Sequence, residues 1–231
     1  MIMIDIVYFL KDTEVNEELR YSLRSVEQNF EHGKIWFYGG CPKGLKPDKW
    51  VHVNQTQPGK WERVKQMLYL ACQNEDLSDD FYLFNDDFFI MKPWTYEPVY
   101  NKTLDGLIEK SEKLTGGVNR YSYRLRETVR ALEASCCGIK NYAVHMPIKF
   151  NKQKVLEVLR AFPGCSMFRS LYGNYNEIGG VCIGDCKIVK LDAKPDANAT
   201  LLSTNDQSFQ YGLVGEYIRS QFETPCRYEV E

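Results

Sequence analysis

Phe81-Tyr82-Leu83-Phe84-Asn85-Asp86-Asp87-Phe88-Phe89-Ile90 is the stretch on which the reading of this chain turns. Four apolar residues run directly into an asparagine and two carboxylates, and apolar residues resume at once. A buried strand that ends this way sets two negative charges at a sheet edge. Carboxylates taken out of water without a partner are costly, so a cation is expected beside Asp86 and Asp87. A divalent metal, Mg²⁺ or Mn²⁺, carrying a diphosphate is the economical candidate, because hard cations take oxygen ligands. The alternative is a strand ending in a solvated acidic turn.

Upstream, residues 4–10 are short, β-branched and aromatic, the pattern of a buried strand. Asn16 suits a helix cap, Glu17 and Glu18 suit a first turn, and Leu19, Leu23, Val26 and Phe30 recur at helical spacing, so a helix is expected over 16–29. A second strand is expected over 34–38, stopped by Gly39-Gly40, and a short third over 50–53. Trp61, Val64, Leu68 and Ala71 mark a helix over 60–74, and 79–85 is the fourth strand. Strand and helix alternate, which points to an α/β fold with a mainly parallel sheet flanked by helices. In such sheets ligands gather at the carboxyl ends of the strands. Asp12, after the first strand, and Asp86-Asp87, after the fourth, are therefore expected at one edge.

Residues 91–140 read differently, as a Pro-Trp-Thr-Tyr-Glu-Pro loop and two helices, a helical insertion or lid within one catalytic domain over 1–231. The second helix, about 119–133, carries Arg120, Arg124, Arg126 and Arg130, either a solvated face or a phosphate-seeking flap. Tyr142–Pro147 reads as a strand delivering His145, followed by a helix over 151–161 that Pro163-Gly164 stops. Residues 170–174 read as a polar-aromatic turn, 186–191 as a strand, and 203–205 as the cap of a last helix.

Composition sets the outer limits. The chain has 231 residues, 44% hydrophobic and 26% charged, with a formal net charge of −2. That balance supports a real core and gives no broad basic footprint, so a nucleic-acid acceptor is open but not favoured. No apolar run approaches the roughly 20 residues of a membrane span, and a signal peptide is not expected, which points to a cytoplasmic protein. Eight cysteines form no Cys-x-x-Cys pair, and reduced thiols are expected rather than a zinc site.

Three stretches together carry a resemblance. Asn16-Glu-Glu-Leu-Arg-Tyr-Ser-Leu-Arg-Ser25, Leu77-Ser-Asp-Asp-Phe-Tyr-Leu-Phe-Asn-Asp-Asp-Phe88 and His145-Met146-Pro147 resemble, in order, motifs of the Stealth family of sugar-phosphate transferases, and Asn205-Asp206-Gln207 is similar to a short element near that family's end. The Asn85–Phe89 and Leu171–Asn174 runs are similar to small phage-encoded proteins described as glycosyltransferases. Both resemblances imply a GT-A-like, Rossmannoid nucleotide-sugar fold. They imply a metal-dependent transferase with a nucleotide-sugar donor, UDP-sugar foremost, and a glycan or other hydroxyl acceptor. After Ile6-Val7-Tyr8 this chain reads Phe-Leu-Lys-Asp where larger Stealth proteins carry a Thr-Trp-Val-Asn/Asp sequence, so glycosyl transfer stands level with sugar-phosphate transfer. A non-catalytic nucleotide-sugar-binding module and a phage DNA-base glycosyltransferase are the other readings.

Each candidate residue has an expected role. Asp86 and Asp87 hold the metal, and Asn85 contacts substrate or orients a carboxylate. Asp12 reads a base or ribose. Arg20 and Arg24, four apart on one helix face, contact phosphate or pair with Glu17 or Glu27. Lys60 and Arg63 are phosphate candidates at a helix start. His145 serves as acid/base or as a phosphate contact, against the alternative of a satisfied core histidine, with Asp87 and Asp206 also in the catalytic set. Arg169, Asn174 and Asn205 line the substrate site, Asn205 being equally an ordinary cap.

Overall fold

The apolar run after Ile4 forms β1 (Asp5–Leu10), the central strand of a five-stranded sheet in the computed structural model of the protein, which describes residues 3–57 and 59–230. From β1 the chain passes through α1 (Glu17–Asn29) to β2 (Ile35–Gly39), which pairs parallel with Ile6 opposite Ile35 and Tyr8 opposite Phe37. The short β3 (Lys49–Val51) adds beyond β2, again parallel. The path then reverses. After α2 (Lys60–Gln73), β4 (Asp80–Phe84) pairs parallel with the other side of β1, with Tyr8 opposite Phe84. Right-handed crossovers in opposite directions put their helices on opposite faces of the sheet. Leu19, Leu23 and Val26 of α1 accordingly join Ile6, Tyr8 and Leu10 in one core cluster, while Met67, Leu68 and Ala71 of α2 join Val7, Trp36 and Tyr38 in another. The alternation along β1 is what divides these residues between faces.

The reversal creates a crevice between the carboxyl ends of β1 and β4, the place where open α/β sheets bind ligands. On the other side of β1, Gly39 and Gly40 end β2 against the backbone that follows β1. A Cβ on Gly40 would fall 2.4 Å from Lys11 O and 2.9 Å from Asp12 Cα, so only glycine lets β2 end against the loop that follows β1.

Beyond the turn at 85–87, β5 (Phe88–Ile90) leaves the sheet and pairs antiparallel with β9 (Leu201–Ser203). It lies on α1, where Ser22 Oγ donates to Phe88 O at 2.6 Å and Ile90 N donates to Ser25 Oγ at 3.0 Å. β6 (Val99–Tyr100) pairs with β8 (Val181–Cys182) in a small ribbon. Between them α3 (Leu104–Thr115) and α4 (Arg120–Ala134) bury Leu104, Ile108, Leu125, Val129 and Leu132 in the α2 core. The edge strand β7 (Ile148–Asn151) runs antiparallel to β4, and α5 (Lys152–Ala161), α6 (Phe168–Tyr175), α7 (Asp206–Tyr211) and α8 (Leu213–Gln221) complete the chain.

Three local expectations are corrected. Residues 142–147 form no strand: Tyr142, Val144 and Met146 are buried alternately, but no neighbouring strand receives them. The carbonyls of Val144 and Met146 accept from the Arg169 guanidinium instead of a ladder. Residues 186–191 hold only an isolated bridge between Lys187 and Ser203. Residues 170–174 lie inside α6, where Gly173 is small because a Cβ there would sit 2.3 Å from the Tyr142 ring. Among the described residues no helix is long and apolar enough to cross a membrane.

Candidate active site

Asn85-Asp86-Asp87-Phe88 is a four-residue turn, closed by Phe88 N donating to Asn85 O at 3.3 Å. It hangs at the carboxyl end of β4, beside the crevice. The carboxylates are not left in solvent. Asp86 Oδ2 accepts from Asn16 Nδ2 at 2.7 Å, while Asn16 Oδ1 caps α1 through Leu19 N at 2.9 Å. One side chain thus fixes both the helix start and the first carboxylate. Burial pushes the Asp86 carboxyl above the usual range, the neighbouring Asp87 charge adds to this, and Asn16 opposes it.

Asp87 has a cation already. Lys187 Nζ lies 2.9 Å from Asp87 Oδ2, with the side chains 22% and 13% exposed, so the pair is largely out of water. The other oxygen, Oδ1, is buried and has no hydrogen-bond partner among the described residues. An unsatisfied buried carboxylate oxygen costs on the order of 1–3 kcal/mol, which a ligand or ion could relieve. Among the described residues no three Asp, Glu, His or Cys side chains converge as a metal cage. The donor set instead fits a hard divalent ion that takes one or two carboxylates and fills its shell with phosphate and water oxygens.

Lys187 belongs to a short run that ties this corner to His145. Asp185 Oδ2 and Oδ1 lie 2.8 and 3.0 Å from His145 Nδ1, and Cys186 Sγ donates to His145 O at 2.9 Å. Asp185 and Lys187, two apart, therefore address His145 and Asp87 in turn. Burial would raise the Asp185 carboxyl, but the His145 hydrogen bond and charge, with the backbone N–H groups of Lys187 and His145, carry it below its ordinary value. An ionised carboxylate only accepts, so the proton sits on Nδ1. His145 Nε2 is left without a partner among the described residues.

Arg169 underlies the His145 loop. Its guanidinium donates to Val144 O and Met146 O, approaches Asn85 Oδ1 at 3.4 Å and lies over the Phe88 ring. Burial lowers it to about 10, against the pull of Asp87 and Tyr96. Glu18, on the first turn of α1, accepts from Thr204 Oγ1 at 2.6 Å. Burial pushes it up to about 7, the Thr204 bond opposes this, and the charges of Asp86, Asp87 and Asp206 add to it.

No family model matches the chain, and no curated protein matches it. Among solved structures, it is similar to a crystal structure of an active-site mutant of LgtC, at 12% identity over 97% of this chain and 98% of that one, with a TM-score of 0.49. A likeness at that level assigns no chemistry, which rests on the geometry of the site alone.

The other residues singled out in the sequence divide. Asp12, exposed after β1, shares the carboxyl edge with Asp86, since β1 and β4 are parallel. Lys60 and Arg63 begin α2 at that same edge, and Arg63 donates to Gln57 O at 3.1 Å. Asp206 is exposed on the first turn of α7, while Asn205 is that helix's cap, accepting from Ser208 N at 2.8 Å. Asn174 is buried in α6 and clamps the Lys140 backbone from both sides, which takes it away from any open surface.

Arg24 is also committed elsewhere. It meets Glu229 through Nε and Nη2 at 2.6 and 2.8 Å and donates to Phe222 O, and Arg20 Nε lies 3.6 Å from the same carboxylate. Their partner is neither Glu17 nor Glu27. On α4, Arg120 and Arg124 cover the Trp61 ring and Arg126 pairs with Glu112 at 2.8 Å. Sequence reasoning missed Asn16 as a contact of Asp86, and Glu18, Asp185 and Lys187 entirely. The i, i+2 alternation of Asp185 and Lys187 around Cys186 was the signal available.

Proposed function

We propose that the protein is a GT-A-like transferase that moves a glycosyl or sugar-phosphate group from a nucleotide sugar, UDP-sugar foremost, to a hydroxyl acceptor. One observation carries this reading. The turn bearing Asp86 and Asp87, with a buried carboxylate oxygen still unsatisfied, sits at the switch point of the sheet and is joined through residues 185–187 to a His–Asp pair. A pure binder has no need of an imidazole held in a single tautomer with its second nitrogen free.

In this reading Asp86 and Asp87 hold Mg²⁺ or Mn²⁺, which when bound neutralises the diphosphate and stabilises developing charge on its oxygens. His145 Nε2 accepts the proton of the attacking hydroxyl, and Asp185 holds Nδ1–H and steadies the imidazolium that forms. Arg169 keeps the His145 loop in place through its carbonyls. Asp12, Lys60 and Arg63 stand on the rim where nucleotide and phosphate would lie.

Calorimetry with a panel of UDP-sugars, with and without Mn²⁺, followed by product analysis in the presence of hydroxyl acceptors, tests the proposal. Mn²⁺-dependent binding with release of a nucleoside diphosphate indicates attack at the anomeric carbon. Release of a nucleoside monophosphate indicates attack at the β-phosphorus. Donor binding without turnover would leave a nucleotide-sugar-binding module, and no binding would remove the reading.

A further inference from the structure

We infer that Lys187 and a divalent cation compete for Asp87, so that the lysine is a built-in tenant that must leave Oδ2 before the metal is fully held. The inference rests on Asp86 and Asp87 being the cation site proposed above. Its physical basis lies in how the two oxygens of Asp87 are used. Oδ2 is taken by Nζ at 2.9 Å, and Oδ1 is buried without a partner among the described residues. A cation drawn to Oδ1 would sit beside the ammonium, because the two oxygens belong to one carboxylate. In a corner this poorly solvated, positive charges a few ångströms apart repel, and a divalent ion doubles the repulsion a single charge would meet.

The lysine is held in a way that suits displacement. Its backbone is pinned, with Lys187 N donating to Asp185 Oδ1 at 3.2 Å, Ile188 N to Ser203 O at 2.8 Å and Ser203 N to Cys186 O at 3.2 Å. Only the four-carbon stem has to swing. The ammonium stays tethered near Asp87 at high effective concentration, and this weakens metal binding without blocking it. Around this corner the carboxylates of Asp86, Asp87 and Asp206 stand against Lys187, Lys11 and Arg169, so swinging the Lys187 ammonium away leaves the balance negative and favours a cation.

Mn²⁺ binding measured without any nucleotide, by calorimetry, tests this. Lys187→Met should bind Mn²⁺ about tenfold or more tighter than the wild type. Lys11→Met removes a nearby positive charge that occupies neither oxygen of Asp87, so its gain should stay within about threefold. Equal affinities for Lys187→Met and wild type, with Asp87→Asn still losing the ion, would overturn the competition and leave the cation site standing. Equal gains in Lys187→Met and Lys11→Met would reduce the effect to through-space charge and also overturn it. No Mn²⁺ binding by any of these proteins, either alone or with UDP present to supply phosphate oxygens, would remove both readings. A measurement on the wild type guards against a misfolded variant. Labelling of lysine amines, read by peptide mass spectrometry, should rise severalfold at Lys187 when Mg²⁺ is added, and an unchanged rate would contradict the displacement.

Discussion

Asp185 holds the His145 imidazole in one tautomer, and this makes a specific demand on its charge. Asp185→Asn keeps shape and reach, but its side chain can turn an N–H toward Nδ1 and force the proton to Nε2, where the acceptor hydroxyl should meet a base. If His145 is that base, kcat should fall about 10²–10⁴-fold with the melting temperature little changed. An unaltered pH–rate profile in that variant would take His145 out of the chemistry. Glu18 makes the opposite demand, on stability. Its folded-state value, about 7, lies above the ordinary 4.5, so the fold favours its protonated form. The stabilisation is complete below about pH 4.5 and is lost as pH rises through 7, a term on the order of 1–2 kcal/mol after solvent screening. Glu18→Gln keeps an acceptor for Thr204 and should raise the melting temperature at pH 8 by about 3–6 °C, with no gain at pH 4. Residues of this kind are the hardest to read in a sequence. Asp86 and Asp87 stood out because they interrupt an apolar run. Glu18 looked like any acidic first-turn residue, and Lys187 like any polar residue of an expected strand, because their meaning comes from partners 186 and 100 positions away.

At the scale of elements, α1 is fastened twice. Asn16 and the serines at 22 and 25 tie it to the acidic turn and β5, and Arg24 ties its other flank to the C-terminal segment through Glu229. The Arg24 and Glu229 side chains are 10% and 13% exposed, so removing one strands a buried charge. Arg24→Met should lower unfolding free energy by about 3 kcal/mol, read as a fall in urea midpoint, while donor affinity in the folded protein stays at the wild-type value. Burial would raise Glu229, but the Arg24 hydrogen bond and charge hold it below its ordinary value. That contribution is present above about pH 4.5 and fades as pH drops through the depressed value, so the wild type should lose stability on acidification faster than Arg24→Met. The elements that were legible are those whose pattern has one cause. β1, α1, β2, α2 and β4 have uninterrupted apolar runs or clean helical periods, and they fall within a residue or two of expectation. Residues 142–147 misled because alternating burial normally implies a paired strand, and here a guanidinium rather than a neighbouring strand takes the carbonyls.

At the scale of the whole molecule, alternation of strands and helices announced a mainly parallel sheet, but not the side of β1 on which β4 would join. Both placements share the same periodicity, and only the observed order creates the crevice at the ends of β1 and β4. The candidate site is assembled there from distant parts of the chain: the start of α1, the turn after β4, the loop before β7 and the run before β9. A ligand that bridges them binds the folded state alone and should stabilise the entire domain cooperatively. At a donor concentration about a hundredfold above its dissociation constant the gain is about 2.7 kcal/mol, or roughly 5–10 °C for a domain of this size. If the carboxylates grip the cation that carries the diphosphate, the shift should need Mn²⁺ and vanish on chelation. Asp87→Asn leaves the Lys187 ammonium facing a neutral amide, so it should unfold below the wild-type temperature without ligand, yet gain nothing further from UDP-sugar and Mn²⁺ together. A full shift in that variant would mean that nucleotide sugar is held without Asp87, and the acidic turn would revert to a structural corner between β4 and β5.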